Sequence, residues 1–238
     1  MSDCPASSRY HHGDLRATLL RAAEAHIAEE GTERLSLRAL AREAGVSATA
    51  PYRHFDDRQG LLVALATEGF EELGAVNAQV LEAEGAAPLQ RQLVSLALAY
   101  VHYAESHRVK YLLMFGDILG DFSPYPELVQ ASDQAFSPLA KMLETGLRQG
   151  VIAAMPLWTL AGATWAAVHG VAGLILKGQG RSSPAEPRTM QPLLALDALE
   201  AQREAAFARL FLGFFACPKA QADLQVLANR SSTLPGEG

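Results

Sequence analysis

Residues 36–55, SLRALAREAGVSATAPYRHF, decide the fold. Ser36 is a favourable N-cap for a short helix. The apolar residues that follow it repeat with the i, i+3, i+4, i+7 spacing of one buried helical face: Leu37, Leu40, Ala41 and Ala44. Gly45 can adopt the left-handed backbone that ends this helix, and Ser47 can cap a second helix that we expect to reach about Phe55. Two short helices joined by such a turn predict a helix-turn-helix.

The flanking segments predict the helices against which this motif packs. Apolar residues recur every four positions before it and predict a first helix that ends near Gly31: Leu15, Leu19, Ala23 and Ile27. After the motif, Asp56 and Gln59 have the spacing of a capping-box variant, which predicts a long helix from Asp57 to about Leu81.

The rest of the chain also has helical periodicity. We expect helices at about 88–106, 108–116, 125–149, 155–177 and 192–216. No sustained alternation of polar and apolar residues predicts a half-buried strand, so the predicted fold class is all-α.

Composition narrows the class of protein. With 238 residues and 49% apolar residues, the chain can bury a sizeable core without metals or disulfides. Cys4 and Cys217 are too few for a disulfide framework and favour a reducing cytoplasm. The net charge of −6 argues against binding nucleic acid through charge alone. Within residues 36–55, however, there are three basic residues, Arg38, Arg42 and Arg53, and only one acidic residue, Glu43.

One segment has the length of a membrane span. Residues 155–176 carry no formal charge. Eight of its 22 residues are Ala or Gly, and Thr, Trp and His are interspersed, which is typical of a helix buried between other helices. We therefore predict no membrane partner.

The residues match a known family. Residues 10–66, which include AREAGVS at the turn and YRHF after it, resemble the N-terminal domain of TetR-type (TetR/AcrR) regulators. Residues 165–170, WAAVHG, resemble the W-x-x-x-H-G signature of one branch of the C-terminal domains of that family. The resemblance implies a cytoplasmic repressor that binds palindromic operator DNA as a homodimer, is released by a small-molecule effector and uses no cofactor.

The resemblance also implies a division of the chain. It predicts a flexible tail at 1–12, a three-helix DNA-binding domain at 13–60, a larger ligand-binding and dimerisation domain at 61–228 and a disordered tail at 229–238.

The DNA-contacting residues are carried over position by position. The resemblance places nine residues at the DNA: Arg38, Ser47, Ala48, Thr49, Ala50, Tyr52, Arg53, His54 and Arg58. Ala48, Thr49, Ala50 and Arg53 match positions that face the bases, and Arg38 matches a position that can reach a guanine edge or a phosphate. Tyr52, His54 and Arg58 match phosphate contacts. Because alanine offers no hydrogen bond to a base, Arg38 and Arg53 are expected to supply most direct specificity, at about 1–3 kcal/mol per bidentate contact. For His54, a phosphate contact and an ordinary surface position are equally expected. Arg58 can pair with Asp56 or Asp57 instead of contacting phosphate.

Pro51 departs from the pattern of many family members. It lies in the first turn of the expected recognition helix and removes one backbone donor. The cost there is below the ~3 kcal/mol of a helix interior, because few intrahelical bonds have yet formed.

The second domain has candidate residues for two roles. A largely apolar effector is expected to contact aromatic and neighbouring side chains, although each is also a candidate for ordinary core packing: Tyr103, Tyr111, Met114, Phe115, Trp158, Trp165 and His169. The resemblance implies that the two final long helices of each subunit form a four-helix bundle across the dimer axis, and the helices expected at about 155–177 and 192–216 occupy the matching places. A ridge in the last of these helices is predicted to form the dimer interface: Phe207, Leu210, Phe211 and Phe214.

Other functions leave features unexplained. The sequence has no phosphate-binding glycine loop, G-x-S-x-G elbow or paired E-x-x-H motif, so an enzyme is not expected. A ligand carrier that does not bind DNA would explain the second domain but not residues 36–55. His11 and His12 are adjacent without a Cys or carboxylate cluster, so no metal site is predicted. Together with Arg9, they can instead lie along DNA.

Overall fold

The computed structural model describes residues 15–179, 191–216 and 218–229. Arg9, His11 and His12 lie outside these residues. The helices are α1 (Leu15–Glu30), α2 (Leu37–Glu43), α3 (Arg58–Glu84), α4 (Leu89–Ser106), α5 (Arg108–Phe115), α6 (Pro126–Arg148), α7 (Leu157–Gln179), α8 (Gln191–Ala201), α9 (Arg203–Phe211) and α10 (Pro218–Asn229). Short 3-10 helices span Ala50–Arg53 and Leu212–Phe214. Within the described ranges there is no β-strand, and the all-α prediction is confirmed.

The predicted caps of the helix-turn-helix are largely present. The Ser36 hydroxyl accepts a hydrogen bond from the Ala39 amide at 3.2 Å, and Gly45 has φ +67°, the left-handed conformation that ends α2. The cap of α3 differs from the prediction: Asp57, and not Asp56, accepts from the Gly60 amide at 2.7 Å. The α3 helix therefore starts one residue later than expected and continues to Glu84.

The expected third helix over residues 47–55 was predicted with the wrong geometry. The chain instead forms turns followed by the 3-10 helix, in which Ala50 N donates to Ser47 O and His54 N donates to Pro51 O, each at 2.9 Å. Pro51 has no N–H with which to bond the Ser47 carbonyl in an α-helix, which accounts for the tighter turn. Ser47 does not cap it; its hydroxyl lies 3.2 Å from that of Thr49.

The long helix α3 connects the two parts of the chain. It contacts α1 in the N-terminal part and α4, α5 and α6 in the C-terminal part. Residues 60 and 61, the predicted domain boundary, lie within this continuous helix. Any displacement of its C-terminal half is therefore transmitted directly toward the helix-turn-helix.

The apolar helix α7 packs against α4 and α6. It is the one helix in the described part of the chain that is long and apolar enough to cross a membrane, and 39% of its apolar stretch is buried within the protein. A helix covered on one side by other helices in this way fits a core element of a helical domain.

The predicted dimer ridge lies largely inside the protomer. Phe207 and Phe211 are 1% and 0% exposed and stack on each other, with ring centroids 5.9 Å apart. Phe214 is half-buried, and only Leu210 is well exposed, at 48%. Phe207 and Phe211 therefore belong to the core of one chain, and their assignment to the dimer interface was wrong.

The C-terminal helices cover this phenylalanine pair. The expected helix over 192–216 is divided into α8 and α9, with Arg203 at the start of α9 donating to both Glu105 oxygens at 2.6 and 2.8 Å. The unpredicted helix α10 then packs on α9. Leu224, Leu227 and Ala228 of α10 are buried, so the apolar ridge finds its partner within the same chain.

Candidate nucleic-acid interface and ligand site

The helix-turn-helix presents a surface of small and basic side chains. The exposed members are Arg38, Arg42, Ser47, Ala48, Thr49, Tyr52, Arg53 and His54. Tyr52 is 47% exposed whereas Phe55 is 5% exposed, as expected if Tyr52 points outward and Phe55 anchors the motif. Ala50 is half-buried and Pro51 is buried. Seven of the nine predicted contact residues are thus exposed to solvent, and the other two, Ala50 and Arg58, are half-buried.

The local charge of this surface is opposite to that of the whole chain. Residues 36–55 contain three arginines and one glutamate, whereas the whole chain carries −6. The glutamate, Glu43, lies 3.9 Å from Nδ1 of His26. Phosphate groups could therefore approach Arg38, Arg42 and Arg53 with little opposing negative charge from the motif.

Arg58 has an internal role in addition to any DNA contact. Its Nε and Nη2 atoms donate to the Thr32 carbonyl at 3.1 and 2.5 Å. These bonds join the start of α3 to the loop after α1, and the pairing with Asp56 or Asp57 considered above is not the one observed. Phosphate binding by Arg58 stays a prediction, and it would have to share the guanidinium with this structural contact.

A cluster of aromatic residues lies in the C-terminal domain. We define the aromatic cluster as Tyr100, Tyr111, Phe115, Trp165 and His169. The hydroxyls of Tyr100 and Tyr111 lie 3.0 and 2.8 Å from Nδ1 of His169. The Phe115 and Trp165 rings lie 5.1 and 5.2 Å from the His169 ring, measured between centroids. Helices α4, α5 and α7 thus meet at one histidine.

Burial keeps the aromatic cluster uncharged near neutral pH. It raises the pKa of Tyr111 to about 12 and the pKa of Tyr100 further still, and it lowers the pKa of His169. Uncharged hydroxyl and imidazole groups can exchange hydrogen-bond partners without separating charges. This cluster is accordingly suited to binding a ligand.

A small cavity of about 50 Å³ adjoins the cluster. Its lining consists of Asn77, Leu93, Leu96, Ala97, Tyr100, Leu139, Thr164, Trp165 and Val168. A larger groove of about 1120 Å³ runs between α3 and α6, but none of the predicted ligand residues lines it. We therefore place the candidate ligand site at the small cavity.

The predicted ligand residues separate into three groups. Tyr111, Phe115, Trp165 and His169 meet in the aromatic cluster, and of these four Trp165 lines the cavity, whereas Trp158 is 71% exposed and belongs neither to the cluster nor to the cavity lining. Tyr103 and Met114 are buried near Gly69, where the Tyr103 hydroxyl donates to the Gly69 carbonyl at 2.9 Å. Tyr100, an aromatic residue of the same predicted helix as Tyr103, completes the aromatic cluster, and only tertiary packing distinguishes these two tyrosines.

A second polar cluster, centred on the buried Lys110 and Tyr103, connects the two parts of the chain. We define the junction cluster as Glu24, Glu68, Glu72, Tyr103 and Lys110. Lys110 is 5% exposed, and its Nζ atom lies 2.6 Å from Glu72, 3.6 Å from Glu68 and 3.8 Å from Glu24. Burial opposes the charge on Lys110, but the Glu72 hydrogen bond and the three carboxylates outweigh it and raise the pKa of Lys110. This cluster fastens α1 to α3 and α5.

The described residues contain no group of three or more His, Cys, Asp or Glu side chains placed to hold a metal ion.

Comparison with known proteins identifies the family. Residues 19–65 match the family described as bacterial regulatory proteins, tetR family. Residues 93–199 match the family described as tetracyclin repressor-like, C-terminal domain. The chain belongs to the TetR family. Its two matches fall on the helix-turn-helix part and on the domain that contains the aromatic cluster.

Solved structures show the same fold. A protein of unknown function from Rhodococcus sp. RHA1 is 32% identical, with a TM-score of 0.69, and the match covers 88% of this chain and 100% of that one. PfmR, a TetR family transcriptional regulator from Thermus thermophilus, is 19% identical, with a TM-score of 0.53 and coverage of 89% and 97%. The fatty acid degradation regulator FadR from Bacillus halodurans is 14% identical, with a TM-score of 0.58 and coverage of 77% and 90%. No curated protein matches the sequence.

Membership of the TetR family decides between the function classes considered above. TetR proteins are transcriptional regulators and not enzymes. The protein is thus a DNA-binding regulator with a helical C-terminal domain. DNA binding explains the helix-turn-helix, which a ligand carrier without DNA binding would leave unexplained.

Proposed function

We propose that the protein is a cytoplasmic repressor that binds a palindromic operator as a homodimer and releases it when a small molecule binds the C-terminal domain. The observation that carries this proposal is that Arg38, Arg42 and Arg53 of the helix-turn-helix are exposed, as are the small side chains of residues 47–49, in a protein whose net charge is −6. Repression would follow where the operator overlaps a promoter.

We assign base contacts to Arg38 and Arg53 and phosphate contacts to Tyr52, His54 and Arg58. Both arginines are exposed and can form the bidentate bonds that guanine accepts in the major groove. Ala48 and Thr49 are exposed, so their methyl groups can meet thymine methyls, whereas Ala50 is half-buried. These few polar contacts would account for only part of the operator specificity, and sequence-dependent DNA shape would supply the rest.

We propose that α7 forms the dimer interface together with α8. Leu174 on α7 and Leu194 on α8 are 58% and 51% exposed. Gly162, Gly170 and Gly173 lie within α7, yet a Cβ at any of them would meet no atom within 4 Å. Glycine within a helix costs about 0.5–1 kcal/mol, and nothing in the protomer requires it here. Close approach by the α7 helix of a second copy would account for these glycines.

A substitution on α7 tests this interface. Gly170→Leu should yield monomers in sedimentation analysis, because it places a side chain between the two α7 helices while the space within the protomer is open. Ala222→Leu on the exposed side of α10 is the matched control and should stay dimeric. A Gly170→Leu dimer as tight as wild type would place the interface elsewhere.

We also assign the chain to the branch with the W-x-x-x-H-G signature. Two of its residues, Trp165 and His169, meet in the aromatic cluster, and the third, Gly170, lies on the exposed side of α7. The signature thus joins the proposed ligand site to the proposed dimer interface. An effector that alters the cluster would change the spacing of the recognition elements through α3 and α5, provided that it binds one state better than the other.

DNA binding tests the proposal directly. Fluorescence anisotropy on the DNA upstream of the protein's own gene should show tight, salt-sensitive binding that a scrambled DNA lacks. Arg53→Ala should weaken specific binding by about 1–3 kcal/mol, whereas Arg148→Ala, an exposed arginine on α6, should leave it unchanged. Equal, weak binding to both DNAs and to sites from a wider operator search would refute the proposal.

A further inference from the structure

The cavity beside the aromatic cluster restricts the charge of its ligand. None of its nine lining residues is Lys, Arg, Asp or Glu. The amide of Asn77 donates one of its two N–H groups to the Ala135 carbonyl, and the hydroxyl of Thr164 donates its proton to the Leu160 carbonyl. A charged ligand would lose its hydration here without gaining an opposite charge, and such burial is strongly unfavourable.

The hydrogen bonds of the cluster restrict the ligand further. The hydroxyls of Tyr100 and Tyr111 both lie against the same atom, Nδ1 of His169, at 3.0 and 2.8 Å. This nitrogen carries either one proton or one lone pair. In either tautomer it accepts a full hydrogen bond from at most one of the two hydroxyl protons, so at least one hydroxyl proton is left for a ligand.

The size of the cavity assigns a role to Trp165. A volume of about 50 Å³ holds only a few heavy atoms while Trp165 is in place. Trp165 is 37% exposed, more than any other lining residue. A ring-sized ligand therefore enters by displacing the indole, which makes the fluorescence of Trp165 a direct report of binding.

We propose that the effector bound here is an uncharged, largely apolar molecule that presents one hydrogen-bond acceptor, such as an ether or carbonyl oxygen, to Tyr100 and Tyr111. This inference rests on the proposed ligand-responsive function, and it adds the chemical class of the ligand. An anion would lack a counter-charge. A cation would be attracted by the aromatic rings but would bring more protons to a cluster that already has too many.

Four probes that share a cyclohexane ring test the inference. They are methoxycyclohexane, methylcyclohexane, cyclohexanecarboxylate and cyclohexylammonium. The full-length protein carries Trp158→Phe, which leaves Trp165 as the only tryptophan, and its emission is followed during titration. We expect methoxycyclohexane to bind at least about tenfold more tightly than either ion. A charged probe that binds as tightly, or a failure of all four probes to shift the emission, would overturn the inference.

Substitutions locate the binding site. Tyr100→Phe with Tyr111→Phe should weaken methoxycyclohexane about three- to tenfold and leave methylcyclohexane unchanged. Tyr103→Phe, the same chemical change one turn further along α4, is the matched control and should alter neither affinity. Ala97→Leu fills the cavity and should abolish binding even if the tyrosine variants unfold. Unchanged affinities in Ala97→Leu would place the probes elsewhere and refute the assignment.

Operator binding by the same samples separates the two proposals. If the probes behave as expected but no DNA is bound, the regulator proposal fails and the ligand class stands. If operator DNA is bound but the charged probes are preferred, the ligand class is wrong and the regulator proposal stands.

Discussion

The junction cluster and the aromatic cluster contact different sides of the same short helix and have different chemistry. Lys110 and Tyr111 are consecutive residues of α5: Lys110 contacts Glu24, Glu68 and Glu72, whereas Tyr111 contacts His169. The first cluster is charged and the second is neutral. A charged cluster of this kind resists rearrangement because a buried charge without its partner is very costly, whereas neutral hydrogen bonds are exchanged at about 1 kcal/mol each.

This difference assigns a role to each cluster. The charged cluster fastens the DNA-binding part to α3 and α5, and the neutral cluster can rearrange around a ligand. A shift of α5 caused by a ligand at Tyr111 would act on Lys110, the next residue, and through it on α1. The consecutive positions of these residues thus provide a short route from the ligand site to the helix-turn-helix.

Replacement of the cation should give the largest effect. Lys110→Met leaves Glu72, Glu68 and Glu24 without their counter-charge and should lower the free energy of unfolding by about 1.5–3 kcal/mol in urea denaturation, because a charge-assisted hydrogen bond is lost while the carboxylates keep part of their hydration. Lys141→Met on the exposed side of α6 is the control and should change stability little. A Lys110→Met protein as stable as wild type would show that the charged cluster does not fasten the two parts.

Removal of one hydroxyl from each cluster should give a smaller effect. Tyr103→Phe and Tyr111→Phe should each lower the free energy of unfolding by about 0.5–1.5 kcal/mol, because each loses buried hydrogen bonds. Only Tyr111→Phe should also weaken the response to methoxycyclohexane. Equal loss of that response in both variants would remove the functional distinction between the clusters.

The smallest effect should be the pH dependence from His169. Burial lowers its pKa in the folded state, so below about pH 6.5 the unfolded chain binds a proton that the folded protein resists. The stability contributed by neutral His169 is therefore present above that pH and declines as the pH falls. In urea denaturation, His169→Gln should reduce the loss of stability between pH 7.5 and 5.5. An unchanged loss would show that other groups cause it.

Local signals were read correctly from the sequence, whereas long-range ones were missed. Ser36 and Gly45 act through neighbouring backbone atoms, so the cap and the turn of α2 could be predicted from their positions alone. Pro51 was noticed, but its effect was underestimated: the missing N–H favours a 3-10 helix over the expected α-helix. The junction cluster was not predicted because Glu24 and Lys110 are far apart in the chain and meet only in the fold.

The phenylalanine ridge shows a further limit of sequence patterns. The spacing of Phe207 and Phe211 correctly indicated an apolar face that needs a partner. It did not identify that partner, which is the protomer's own packing around α9, including α10, and not a second copy. The proposed interface on α7 rests instead on exposed glycines, whose role becomes apparent only when the space around them is known.

A DNase footprint on the DNA upstream of the protein's own gene tests the central claim most directly. A homodimer that reads DNA through residues 36–55 should protect two half-sites in inverted repeat, with centres about one helical turn, or 10 base pairs, apart or a multiple of that spacing. Arg53→Ala should abolish this protection at the same protein concentration. Full protection by Arg53→Ala, or a single unpaired site, would contradict the account.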